Sequence, residues 1–334
     1  MKEAMFYRKL KGGKTQCYLC PRGCVISHGR TGFCGVRRND NGILFSLVYG
    51  KACALHTDPI EKKPLFHFAP GSRCLSLATV GCNLDCQFCQ NWEISHPKTV
   101  AGEDIPPERV VSMARSLGLP GIAYTYTEPT IFFEYAYETM RLAKKEGLYN
   151  IWVSNGYTSP EAIKKASKYL DAINVDLKGG HDFYREVCGV PDEKPIYRAL
   201  KLYKELGIFI EVTTLVIPGH NDSRECIERI VKWVKENLGP ETPMHFSRFY
   251  PHFRMLDVEP TPVNTLETAA RIALDNGMQW VYIGNVPGHE RENTLCPECG
   301  EILVKRTIYE TKILRKECRC GRKLLICGER WMRD

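Results

Sequence analysis

Short β-rich runs alternate with stretches of helical periodicity along most of this chain. The strand-like runs are Cys74–Val80, Ile122–Tyr126, Asn150–Ser154, Ala172–Asp176, Phe209–Val216, Met244–Phe249 and Trp280–Ile283. Between them, apolar residues recur at helical spacing. Val110, Val111, Ala114 and Leu117 form one such stripe, Ile131, Tyr135 and Leu142 a second, and Ile227, Ile230, Val231 and Val234 a third. Six or seven β-then-α units in one run predict a parallel sheet with right-handed crossovers. That many units curl into a full or partial barrel, with the functional residues at the C-terminal strand ends. A flavodoxin-like sheet needs only about five strands and is the second option.

The pattern divides the chain into three regions. Residues 1–72 carry a four-cysteine cluster and a strand-like run, Ile43–Tyr49, after the turn signal Asn41-Gly42. They end in the loop signature Ala69-Pro70-Gly71-Ser72. Residues 73–290 hold the β/α alternation. Residues 291–334 form a short tail with Cys-Pro-x-Cys-Gly and Cys-x-Cys-Gly. A tail of that size buries too little core to fold alone, so a metal is its natural staple. The expected fold is thus α/β, a partial (β/α)6 TIM-like barrel with small cysteine-rich, metal-binding extensions at both ends.

Composition sharpens this picture in one respect. The chain has 334 residues, 43% of them hydrophobic, and a formal net charge of +7. This charge permits an anionic substrate or partner without requiring nucleic acid. No run of 18 apolar residues offers a membrane span, and the N-terminus has no apolar signal segment, so a cytoplasmic protein is expected. The 16 cysteines are the loud signal. Most sit in short clusters, and clustered thiolates in a reducing compartment usually bind metal.

The run Thr79-Val80-Gly81-Cys82-Asn83-Leu84-Asp85-Cys86-Gln87-Phe88-Cys89 follows the first barrel strand. Its spacing, C-x3-C-x2-C, lets one loop face three irons of a single cluster. A closed site wants four protein ligands, so three leave one position open for catalysis. A zinc site that borrows a fourth ligand from elsewhere is the plainer alternative.

The motif and its setting resemble the activating enzymes of glycyl-radical enzymes, such as pyruvate formate-lyase activase. Asp176-Leu177-Lys178 is similar to an Asp-x-Lys at a strand end in those enzymes. Val216-Ile217-Pro218-Gly219-His220-Asn221-Asp222 is similar to their V-P-G-x-N-D turn. Two further runs, Asp58-Pro59-Ile60-Glu61-Lys62-Lys63-Pro64-Leu65 and Tyr126-Thr127-Glu128-Pro129-Thr130, resemble the radical S-adenosylmethionine (SAM) member of the AmmeMemoRadiSam system. The resemblance spans nearly the whole chain. It implies a [4Fe-4S] cluster on Cys82, Cys86 and Cys89 whose open iron chelates SAM. It also implies a reductant such as flavodoxin or ferredoxin, and association with Memo-like and AMMECR-like proteins.

The resemblance assigns candidate SAM contacts as well. Glu128 stands where the activases carry a Gly-Gly-Glu segment, which makes it the expected partner of the SAM ammonium. Its alternative is an N-cap, since Thr127, Glu128 and Thr130 precede a helix. Asp176 and Lys178 share a face by strand alternation and could hold ribose hydroxyls and a carboxylate; the alternative is a surface ion pair. Asn155 closes the third strand and is expected to line the pocket. His220 and His245 lie near the ends of strands five and six and are weighed as pocket or structural residues. Cys188 follows the Asp-Leu-Lys run and is either a hydrogen-atom donor or a small buried residue.

Both ends of the chain add a thiol set. Cys17, Cys20, Cys24 and Cys34 are four thiolates that fit zinc or an auxiliary iron–sulfur cluster. Cys296, Cys299, Cys318 and Cys320 resemble a zinc ribbon, with Cys327 able to replace Cys318 because the second knuckle is one residue short. Three functions are compatible with these features. The first is a radical SAM enzyme that takes hydrogen from a protein glycine or a small molecule. The second is an RNA-modifying radical SAM enzyme with the ribbon as a handle. The third is a non-catalytic iron–sulfur or zinc assembly protein. The fold and cofactor alone do not name the substrate.

Overall fold

The computed structural model describes residues 1–97, 99–308 and 310–332. Its centre is one eight-stranded sheet. We label its strands β1 (Ala54–Pro59), β2 (Arg73–Ala78), β3 (Gly121–Tyr124), β4 (Tyr149–Ser154), β5 (Ala172–Asp176), β6 (Phe209–Val216), β7 (Met244–Arg248) and β8 (Val281–Gly284). They lie side by side in chain order. Strands β2 to β8 run parallel, and β1 pairs antiparallel along the edge of β2. Among the described residues β1 and β8 do not pair, so the sheet is an open barrel. The parallel α/β fold expected from the alternation is present.

Six helices complete the crossovers: α1 (Pro107–Ser116), α2 (Phe133–Lys145), α3 (Pro160–Ala166), α4 (Lys194–Glu205), α5 (Arg224–Leu238) and α6 (Val263–Asp275). Helix α5 illustrates why they form. Ser223 caps it by accepting the Cys226 N–H, and Gly239, at φ 97°, ends it. Ile227, Ile230, Val231 and Val234 then bury one stripe against the sheet. The strands are buried nearly end to end, as a sheet covered on both faces requires.

Two expectations about boundaries shift. Ala54–Pro59, grouped by sequence with residues 1–72, is an edge strand of the central sheet. The expected strand ends at Val80 and Tyr126 overshoot, because Thr79-Val80 and Thr125-Tyr126 already turn into loops, Tyr126 with φ 64°. The N-terminal residues make two small antiparallel sheets. One contains the hairpin of Arg37–Asp40 with Ile43–Ser46, which turns at Asn41 and Gly42, both at positive φ. Buried Arg37 ties this hairpin to α2: its Nη1 donates to Glu134 Oε2 at 2.9 Å and its Nη2 to Glu134 Oε1 at 3.0 Å.

The last residues return beneath the barrel. Thr294–Leu295, Ile302–Thr307 and Glu310–Ile313 form a three-stranded ribbon. Its core of Cys296, Leu303 and Cys318 packs with Trp280, Tyr282 and Phe66. Further on, Cys327 and Trp331 cover Phe68, Cys74 and Tyr149. All of these contacts lie at the N-terminal strand ends. That end of the barrel is therefore closed, and the C-terminal end is left as the mouth.

Candidate functional site

The loops at the C-terminal strand ends build the mouth. After β2 the chain enters the loop of Cys82, Cys86 and Cys89, whose three thiols are half-buried. Gly81 precedes it at φ 102°, and a Cβ there would lie 2.8 Å from the Cys34 carbonyl oxygen, so only glycine fits. Neighbouring loops hold this one in place. Asp85 N donates to Cys188 O at 3.0 Å, Gln87 N to Val187 O at 2.9 Å, and Arg254 N to Gln87 O at 2.9 Å. Arg254 Nη1 also reaches both Asp85 oxygens at 3.1 Å, and Trp92 stacks on Phe253.

Donors and one cation surround the thiols. Leu84 N donates to Cys82 Sγ at 3.4 Å, and Asn155 Nδ2 stands 3.9 Å from the same sulfur. Asn155 is fixed in turn: its N donates to Glu128 Oε2 at 2.8 Å and its Nδ2 to Asn83 Oδ1 at 2.8 Å. Lys178 Nζ is paired with Asp176 Oδ2 at 2.7 Å and lies 5.6 Å over the Phe88 ring. Burial disfavours the Lys178 charge, but Asp176, Cys86 and Cys188 together hold its pKa above the usual range. Burial raises the pKa of Cys82 and Cys89. For Cys86 the larger cause is the Cys188 thiol beside it, followed by burial. A metal reverses this, since it binds the thiolate.

This donor set fits the cluster that the spacing suggested. One loop supplies three thiols and no fourth, with N–H donors and a lysine placed to balance thiolate charge. Cys82, Cys86, Cys89, Asn155, Asp176 and Lys178 are brought together. Cys188 is fully buried.

Three candidates stand differently. Glu128 is 2% exposed, and its oxygens accept from Thr130 N, Thr130 Oγ1, Ser154 Oγ and Asn155 N. Three of these bonds fall on Oε1 and one on Oε2, so the side chain is held firmly in place. Glu128 is the buried N-cap of Pro129–Phe132, the alternative weighed for it from the sequence. Burial raises its pKa, and these donors oppose that. His220 is exposed in the turn after β6, its backbone N–H on Ile217 O. His245 is the second residue of β7 and so lies at the closed end. There its Nε2 meets Glu211 Oε2 at 2.7 Å, away from the thiols. The expectation that His245 stands near the end of its strand is thereby corrected.

Sequence reasoning missed the residues that hold the mouth open. Asn221 is the clearest. Its Oδ1 accepts Ile217 N at 2.6 Å, and its Nδ2 donates to Lys178 O at 2.7 Å and Leu215 O at 2.8 Å. It clamps the end of β5 to the turn after β6. Its presence in the V-I-P-G-H-N-D run was the available signal. Arg22 also escaped notice; its Nε donates to Asn83 O at 2.5 Å and its Nη2 to Gly189 O at 2.6 Å.

The two terminal thiol sets are both assembled. Cys296 Sγ lies 3.5 Å from Cys320 Sγ, Cys299 Sγ lies 3.3 Å from Cys318 Sγ, and all four fall within 4.8 Å of one another. Cys327 is elsewhere, its N on His67 O and its carbonyl accepting Ala69 N. Cys17, Cys20, Cys24 and Cys34 line one cavity on the side of the mouth.

Comparison with known proteins agrees with this layout. Residues 76–234 match the radical SAM superfamily. An uncharacterised protein of Methanocaldococcus jannaschii is 47% identical over 332 residues, 99% of this chain and 98% of its own. The pyruvate formate-lyase 1-activating enzyme of Escherichia coli is 24% identical over 175 residues, 50% of this chain and 70% of its own. Among solved structures, a radical SAM methyltransferase from Sphaerobacter thermophilus aligns with a TM-score of 0.52 at 15% identity. That alignment covers 64% of this chain and 66% of that one, and it speaks for the fold.

Proposed function

The chain belongs to the radical SAM superfamily, and from that premise we propose that it is an activase-like enzyme which takes a hydrogen atom from a protein glycyl residue or a small molecule. The observation that carries this is the mouth itself, with three thiols on one loop and the Asp176–Lys178 pair beside them. Cys82, Cys86 and Cys89 would hold a [4Fe-4S] cluster. When bound, that cluster supplies the electron that cleaves a carbon–sulfur bond of SAM to give a 5′-deoxyadenosyl radical.

The chain's own residues do the rest. Lys178 and Asp176 hold polar groups of SAM. Asn155, fixed by Glu128 and Asn83, shapes the floor beside Cys82. Asn221 keeps the Lys178 backbone in place. A low-potential donor such as flavodoxin or ferredoxin is the proposed reductant. Membership of the AmmeMemoRadiSam system, and with it Memo-like and AMMECR-like partners, rests on the Asp58–Leu65 and Tyr126–Thr130 runs. No described helix is long and apolar enough to cross a membrane, and we place the protein in the cytoplasm.

We assign zinc to Cys296, Cys299, Cys318 and Cys320. Zn–S bonds of about 2.3 Å set tetrahedral sulfurs about 3.8 Å apart, close to the spacing found. The ribbon packs against the closed end, which argues against its serving as an RNA handle at the mouth.

Anaerobic reconstitution with deuterated candidate substrates tests the function. Deuterium should enter 5′-deoxyadenosine from the true substrate. If the reconstituted, reduced chain makes no 5′-deoxyadenosine, the reading is wrong.

A further inference from the structure

The four N-terminal thiols and the four C-terminal thiols are built to different scales. We propose that Cys17, Cys20, Cys24 and Cys34 hold a second four-iron cluster rather than a single ion, placed to pass an electron to the Cys82 site. The cluster assignment stands on geometry alone; the electron route rests on the radical SAM reading.

Spacing is the first argument. The N-terminal thiols line one cavity, shared with Leu19, Ile26 and Ile131. Among the described residues, the C-terminal four are the set drawn within 4.8 Å of one another, as one ion demands. The N-terminal four line a common cavity without forming such a close group. A cubane cluster carries each thiolate on a different iron and needs that separation.

Charge and hydrogen bonding supply a second, independent argument. Arg37 lines the same cavity, and its side chain is 2% exposed. Its Nη atoms are taken by Glu134 and Met5 O, but its buried Nε–H has no partner. A buried donor of that kind is costly unless something accepts from it. A cluster sulfur is such an acceptor, and the guanidinium offsets its negative charge.

Position supplies the third. Asn83, the residue after Cys82, lines the N-terminal cavity. Gly81, the residue before Cys82, approaches the Cys34 carbonyl so closely that a Cβ would lie 2.8 Å from it. The two thiol sites therefore share a wall on both sides of Cys82. One electron would enter from an external low-potential one-electron donor and leave toward the Cys82 site. No bond forms or breaks at the N-terminal site.

Metal analysis of the anaerobically reconstituted full chain decides the cluster. We expect about eight irons, about eight sulfides and about one zinc per chain. Reduction should give two paramagnetic centres whose resonances broaden each other. About four irons with about two zincs would overturn the proposal. The doubly substituted Cys20→Ser, Cys24→Ser chain should lose about four irons and keep its zinc. If that variant does not fold, the counts and spectra of the unaltered chain decide alone.

The route has its own test. With dithionite, which can reach the Cys82 site directly, the double variant should still form 5′-deoxyadenosine. With reduced flavodoxin it should be slower by about tenfold or more. Equal rates with flavodoxin for variant and unaltered chain would overturn the route. Failure of the unaltered chain with dithionite would instead sink the radical SAM reading, and the iron count would still judge the N-terminal cluster.

Discussion

The two ends of the barrel use the same strands for opposite purposes. At the mouth, polar groups gather around half-buried thiols and leave a partly exposed carboxylate, Asp176, at 37% side-chain exposure. At the closed end, polar groups are buried and mostly paired with one another. Glu211 accepts His67 N at 2.7 Å on one oxygen and His245 Nε2 at 2.7 Å on the other. His67 Nδ1 meets Leu325 O at 2.7 Å, and its Nε2 meets the Tyr282 hydroxyl at 2.5 Å. Arg306 then joins the ribbon to this network through Thr294 and Phe66 O. A polar side chain inside a barrel thus marks chemistry at one end and assembly at the other.

The widest separation of the two ends comes from a thiol. Cys82→Ser should abolish SAM cleavage, with 5′-deoxyadenosine falling to background in a chromatographic assay, while the fold persists. Appreciable cleavage with iron still bound would detach the mouth from the chemistry.

At the closed end, Glu211→Ala should leave SAM affinity intact in the folded molecule and destabilise it by about 3–5 kcal/mol, because His245 and the His67 N–H lose their partner inside the protein. Denaturant midpoints measure this. The same network sets a pH dependence. Burial, partly opposed by Glu211, depresses the His67 pKa from 6.5 to about 4. The unfolded chain therefore binds the proton more readily. The His67 contribution is present above about pH 6.5 and is lost as pH falls toward about 4, worth about 3 kcal/mol. Unfolding midpoints that rise as the pH is lowered from about 6.5 to about 4 would contradict this sign.

These contrasts explain what the sequence could and could not disclose. Strand alternation and the C-x3-C-x2-C spacing are local, so the parallel sheet and the mouth loop were both readable. His245 and Lys178 both sit in or just beyond barrel strands, yet one lies at the start of β7 and the other beyond the end of β5. The expected strand bounds already set them at opposite ends, while the Glu211 partner of His245 comes from a neighbouring strand and was not readable. The clamps act on backbone groups: Asn221 had a signal in its turn motif, whereas Arg22, which reaches the carbonyls of Asn83 and Gly189, had none. Edge strand β1 was missed because it pairs antiparallel with β2, outside the β-then-α rhythm.

Moving to the Asp176–Lys178 pair, Lys178→Met should weaken SAM binding about 10- to 150-fold, the loss of one charge-assisted hydrogen bond of about 1.5–3 kcal/mol. Iron content should change little, since the lysine is no ligand. Equilibrium binding of SAM to the reconstituted variant measures it. Unchanged affinity would make the pair an ordinary ion pair and leave the mouth with thiols alone.

Glu128→Gln gives the smallest effect and bears most closely on the comparison, because Glu128 sits near the mouth but is built like the closed end. Its carboxylate accepts four hydrogen bonds, from Thr130 N, Thr130 Oγ1, Ser154 Oγ and Asn155 N. An amide of the same shape keeps one accepting oxygen and turns its other atom into a donor, which then faces a donor. Stability should fall by about 1–2 kcal/mol, within the range for a spoiled buried hydrogen bond. SAM affinity should hold, because Asn155 keeps its links to Asn83 and Tyr157. Thermal unfolding and SAM binding measured on the same preparation separate the two readings. Lost affinity with unaltered stability would return Glu128 to the cofactor and erase the distinction between cap and ligand on this side of the barrel.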